Sequence, residues 1–167
     1  MDATVKKCLH ELGQTITEAL QEIAETMLFV EIEPGPISTE RCDIPPEHCA
    51  VIDFGDGIQG CFVLVASERA ALKLAGALMG EERGEMDPEM GDSFGEVANM
   101  IAGGLVSRVE GKYGSVSMTP PERVEGHHPL EAEQEWRRIH LGFALDGVPF
   151  CAEFFIDGEC MQKKASA

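Results

Sequence analysis

The chain has 167 residues, with 13 Lys and Arg against 30 Asp and Glu and a formal net charge of −17, a length that suits one domain with a core large enough to need no staple. Apolar residues make up 44% and charged residues 26%, which excludes a disordered or fibrous chain as the main state. The acidic excess argues against nucleic acid and anionic membranes as partners, and the absence of an apolar run near ~18 residues or of an apolar leader points to the cytoplasm.

Taken in chain order, residues 2–27 place Val5, Leu9, Leu12, Ile16, Leu20, Ile23 and Met27 three or four apart, one face of a long amphipathic helix. Leu28 to Pro36 reads as extended, because Pro34 and Pro36 forbid helix, and Ser38 to Pro46 reads as a loop. Cys49–Phe54 and Ile58–Val65 flank Gly55-Asp56-Gly57 and predict a hairpin. Ser67 caps a helix whose apolar side is Ala70, Ala71, Leu74, Ala75 and Leu78 and whose end is Gly80. After an acidic linker, Asp87-Pro88 starts a helix expected to run to about Val109, before Gly111.

Ser115–Met118 reads as a strand, and Thr119–Leu130, with three prolines, as a loop. Trp136–Leu145 alternates through Ile139, Leu141 and Phe143, and Asp146-Gly147 turns it into Val148–Ile156. The residues from Gly158 read as a frayed tail. The order of elements predicts an α+β fold: a largely antiparallel sheet built from hairpins and covered by helices on one face, in a single domain over residues 1–157 with a tail at 158–167.

Six cysteines (8, 42, 49, 61, 151 and 160) form no Cys-x-x-Cys pair, so neither a zinc site nor a redox motif is expected, and Cys61 and Cys151 read as small core residues. His127-His128 lies in a proline-flanked loop and reads as exposed; no Gly-x-Ser-x-Gly elbow or phosphate-binding glycine loop is present. An enzyme with its own nucleophile or metal is therefore not expected.

The informative stretch is Asp92-Ser-Phe-Gly-Glu96-Val-Ala-Asn99-Met-Ile-Ala-Gly103-Gly104. At about 100° per residue from Glu96, Asp92 falls near −40°, Asn99 near −60° and Gly103 near −20°. Met90, Phe94, Val97, Ala98, Ile101 and Leu105 fall on the opposite arc, so the polar stripe is expected to face away from the core. Glu96 and Asn99 can then address one external object. Gly103 leaves bare backbone one turn beyond Asn99, with Gly104 and Gly95 widening the patch. Such a stripe is also common on ordinary surface helices, and the glycines also fit tight packing.

This stretch resembles the signature helix of the CheX-like branch of the CheC, CheX and FliY chemotaxis phosphatases: an acidic residue, Glu-x-x-Asn, then glycine. Glu25–Gly35 and the strand pair around Asp146-Gly147 support the resemblance. CheC-type members carry two such helices; here the Ser67–Met79 helix has no Glu-x-x-Asn. The resemblance implies hydrolysis of the aspartyl phosphate on a CheY-type response regulator. Asn99 would orient the attacking water, Glu96 would bridge to a lysine of the regulator, and Asp92 and Gly103 would contact it. An exposed carboxylate titrates near ~4.3 and is a weak base at neutral pH, which fits an anchor better than a general base. The resemblance implies no cofactor of the chain's own, magnesium on the regulator, and a homodimer paired through sheet edges, for which the hairpins would supply an edge. The alternative is a non-catalytic binding module of the same fold in a signalling assembly.

Overall fold

A computed structural model describes residues 3–41, 43–129 and 136–165. Helix α1, Ala3–Ile23, buries Val5, Leu9, Leu12, Ile16 and Leu20 along one side. It continues into a π-helical turn, Ala24–Leu28, that ends at Phe29 in the left-handed region (φ 55°, ψ 40°). The strands are β1 (Ile32–Ser38), β2 (His48–Asp56), β3 (Gly60–Ala66), β4 (Val116–Met118), β5 (Glu122–Glu125), β6 (Trp136–Leu145) and β7 (Val148–Asp157). Helices α2 (Glu68–Met79) and α3 (Pro88–Tyr113) lie between β3 and β4, and α4 (Gly158–Ala165) follows β7.

All strand pairings are antiparallel, in the order β1-β6-β7-β3-β2-β4, with β5 also on β2. The β6–β7 turn sits on Asp146 (φ 50°) and Gly147 (φ 75°), the two positive φ values that match a two-residue turn to sheet twist. Alternate residues of the central strands, among them Ile52, Phe62, Leu64, Phe150, Phe154 and Leu141, form one core with α1, α2 and α3. The opposite face carries a smaller cluster of Cys49, Cys61, Val63, Val65, Cys151 and Phe155, with Ile44, Val124 and Trp136 against it. Strand β3 is consequently buried along its whole length.

Several expectations need correction. Residues 122–125, read as loop, pair with β2 from His48↔Glu125 to Val51↔Glu122; Pro120 and Pro121 precede the strand and do not enter it. Helix α3 passes Gly111 to Tyr113, because Val109 and Tyr113 are buried and hold the last turn on the core. The predicted frayed tail contains α4: Asp157 Oδ1 accepts from the Glu159 amide at 2.9 Å and Met161 is buried. Cys61 is a buried core residue, whereas Cys151, also buried, is disulfide-bonded; spacing alone does not reveal pairing.

The hairpin strands β6, β7, β3 and β2 are paired on both sides, so they offer no edge; the edges are β1 and the β4/β5 pair. Strand β1 carries Pro34 and Pro36, which blunt it against further pairing.

Candidate functional site

The helix that bears the signature is set by its start. Asp87 Oδ1 accepts from the Met90 amide at 2.9 Å, and Arg83 Nη1 donates to Asp87 Oδ2 at 3.0 Å. The Met90 amide, aided by the Arg83 guanidinium, holds the Asp87 carboxyl below its usual range. Pro88 occupies the first turn. From this fixed start α3 packs on both α2 and α1. Gly76 of α2 lies against the backbone of Glu81 and near Met90, and Lys112 donates to Glu11 of α1 at 3.3 Å. Arg108 pairs with Glu22.

Met90, Phe94, Val97, Ala98, Ile101 and Leu105 are buried, while Asp92 and Glu96 are exposed and Asn99 and Gly103 half-buried. The four polar or bare positions therefore share the solvent side of α3. The stripe lines neither the cleft between Val30, Lys73 and Asp146 nor the one between Lys6, Ile37 and Ile139. Side chains on an open helix face cannot enclose a small substrate, but they can enter a pocket on another molecule.

The glycines divide by role. A Cβ on Gly103 would meet nothing within 4 Å, so the bare patch at that turn is real. Gly104, expected to widen it, faces α1, where an added Cβ would lie 3.3 Å from the Ala19 Cβ. Gly95 is buried beside Pro121 and the Arg123 side chain. Gly104 serves packing on α1, whereas at Gly95 a Cβ would find ordinary contact distances, and neither glycine widens the open patch. Sequence reading missed Pro121 and Arg123, which flank the stripe on its β5 side.

A second polar group lies on the opposite sheet face. Glu153, 1% exposed, meets His128 Nε2 at 2.5 Å and His140 Nδ1 at 3.6 Å. Burial pushes the Glu153 carboxyl up, but the hydrogen bond with His128, the nearby His140 imidazole and the charge of Arg138 outweigh it and hold the group at about 2. His128, read as an exposed loop residue, is thus a half-buried partner whose side chain keeps 9% exposure. Among the described residues no group of His, Cys, Asp and Glu is arranged to hold a metal ion, and no helix is long and apolar enough to cross a membrane.

The profile of the family described as chemotaxis phosphatase CheX matches residues 48–143. A curated relative, the CheY-P phosphatase CheX of Thermotoga maritima, is 32% identical over 128 residues, covering 75% of this chain and 78% of the relative. The crystal structure of chemotaxis protein CheX from Vibrio vulnificus shares the fold with a TM-score of 0.77 at 21% identity, over 88% of this chain and 99% of that one. The CheX-CheY-BeF3-Mg complex from Borrelia burgdorferi aligns with a TM-score of 0.74 at 22% identity, over 86% of this chain and 96% of that one. With its fold, its signature helix and these matches together, the chain belongs to the CheX family of chemotaxis phosphatases.

Proposed function

We propose that this protein hydrolyses the aspartyl phosphate of a CheY-type response regulator, with α3 entering the regulator's phosphorylation site. The observation that carries the reading is the placement of Glu96 and Asn99 together on the open face of α3, over a turn left bare by Gly103. The Thermotoga relative is named a CheY-P phosphatase, and the Borrelia CheX is seen bound to CheY with beryllofluoride and magnesium.

An acyl phosphate is already reactive, so its in-line attack by water needs positioning and charge balance more than a new nucleophile. The Asn99 carboxamide both donates and accepts hydrogen bonds, and it can hold a water behind the phosphorus without adding charge. Glu96, one turn away, anchors the helix through a salt bridge to a lysine of the regulator. Asp92 and Gly103 complete the contact, the glycine by letting backbone approach closely. Magnesium belongs to the regulator.

A panel of phosphorylated CheY-type regulators mixed with the purified protein in single turnover tests the reading. At least one regulator should lose its phosphate faster than it does alone. Binding to the regulators with unchanged phosphate decay would contradict hydrolysis and leave a docking module.

A further inference from the structure

Arg123 stands on β5 opposite Ala50 of β2. Cross-strand partners share a sheet face, so Arg123 projects to the helix side with Ala50, a core residue. There its side chain runs along α3. Its Cγ lies 3.9 Å from where a Gly95 Cβ would be, and its guanidinium covers Gly91, whose Cβ would fall 1.7 Å from Nη1 and 2.2 Å from Cζ. The guanidinium can occupy this place only because residue 91 has no side chain. Gly91 precedes Asp92, so the charge sits beside the stripe, at its N-terminal end.

Its hydrogen bonding is incomplete. A guanidinium offers five N–H donors, yet Arg123 Nη1 is buried with no acceptor. Nη2 donates to Glu125 at 3.4 Å, to a carboxylate that is itself 61% exposed. Packing alone would be served by a hydrocarbon chain. Nη1 itself is closed to solvent, so the 30% of the side chain that stays exposed belongs to the rest of the fork and its stem, where an arriving group competes with the exposed Glu125 carboxylate.

The surrounding charge indicates what that group is. Exposed Asp92 and Glu96 make the stripe acidic, in a chain of net charge −17; Glu89 is paired with Arg83 at 2.8 Å, and Arg123 is the cation beside the stripe on its β5 side. Gly91 and Asn99 are two turns apart, ~12 Å along the axis. With Asn99 at the phosphorus, the guanidinium lies well away from the phosphoryl group, on the rim of the contact.

Building on the proposed phosphatase reading, we infer that Arg123 is a docking residue that pairs with a carboxylate on the rim of the regulator's phosphorylation site. It fixes the register in which α3 enters. It is a positioning residue: it sets how firmly the complex holds and not how fast the bound phosphate is lost.

The test uses a regulator that the wild-type protein dephosphorylates, in single-turnover titrations, and the same regulator held in its beryllofluoride form for binding. Absence of wild-type activity toward every regulator would remove the phosphatase reading, whatever Arg123 does. Given wild-type activity, Arg123→Ala should weaken binding about five- to tenfold and leave the rate at saturation unchanged. Arg123→Lys should restore part of the loss, since it keeps the charge without the fork. Gly91→Ala keeps the charge but puts a methyl group where the guanidinium lies, so it should also weaken binding while the helix gains propensity. Binding by Arg123→Ala within twofold of wild type would overturn the assignment. So would a fall in the saturating rate at unchanged affinity.

Discussion

Ala19 of α1 and Gly104 of α3 meet so closely that a methyl group on the glycine would lie 3.3 Å from the alanine Cβ. This contact, with the Lys112–Glu11 pair further along the same helices, sets how α3 lies on α1 and so which arc of α3 faces outward. A large residue at 104 must push the helices apart. Gly104→Leu should cost about 1–3 kcal/mol in thermal unfolding, the usual penalty for overpacking.

The adjacent glycine behaves differently. Gly103→Ala meets open space and should raise stability by up to ~1 kcal/mol, the helix-propensity gain of alanine over glycine. Gly103→Leu should keep the fold but lower kcat/KM, because its side chain occupies the turn that the regulator approaches. Unaltered kcat/KM for the leucine variant would show that nothing comes near.

Glu153 provides a test in acid. Its carboxyl is held at about 2, below the ordinary value of 4.5, so it stabilises the fold fully above pH ~4.5 and that contribution is lost as pH falls from there toward 2. Removing one donor by His128→Ala should raise the carboxyl's value, start acid unfolding at a higher pH and cost about 3 kcal/mol at neutral pH. Acid unfolding monitored by circular dichroism checks the direction. An unshifted transition would mean that the His128 contact does not hold the charge.

Phe29 is 83% exposed and sits at φ 55°, ψ 40° after the π-helical turn. Left-handed backbone costs a residue other than glycine roughly 1–2 kcal/mol, and little burial is lost with this ring. Phe29→Gly should therefore stabilise the protein by about 1 kcal/mol, less the entropy that glycine adds to the unfolded chain. A lower melting temperature would show that the ring makes a contact that matters.

What sequence reading found and missed follows from the range of the interactions. Ser67, Asp87-Pro88 and Asp146-Gly147 act on backbone within three residues, and each starts a helix or turns a hairpin where local chemistry says it should. The stripe of Asp92, Glu96 and Asn99 was legible because helical spacing alone brings it together. Strand β5 was hidden, since Glu-Arg-Val-Glu after two prolines has neither alternation nor an apolar run, and its order comes from pairing with β2. The His128–Glu153 contact and the Arg123 guanidinium over Gly91 join separate elements. No local pattern encodes either one.

The anchoring role of Glu96 is separable from catalysis. Glu96→Gln keeps shape and hydrogen bonding but removes the charge, so binding to the regulator should weaken several-fold and lose part of its salt dependence. Affinity and salt dependence equal to wild type would argue against the bridge.

The most direct measurement concerns Asn99. In single-turnover decay of the phosphorylated regulator, Asn99→Ala should bind nearly as well as wild type and hydrolyse roughly 10²-fold or more slowly. Phosphate loss at the wild-type rate with Asn99→Ala would contradict the assignment of water positioning to this side chain.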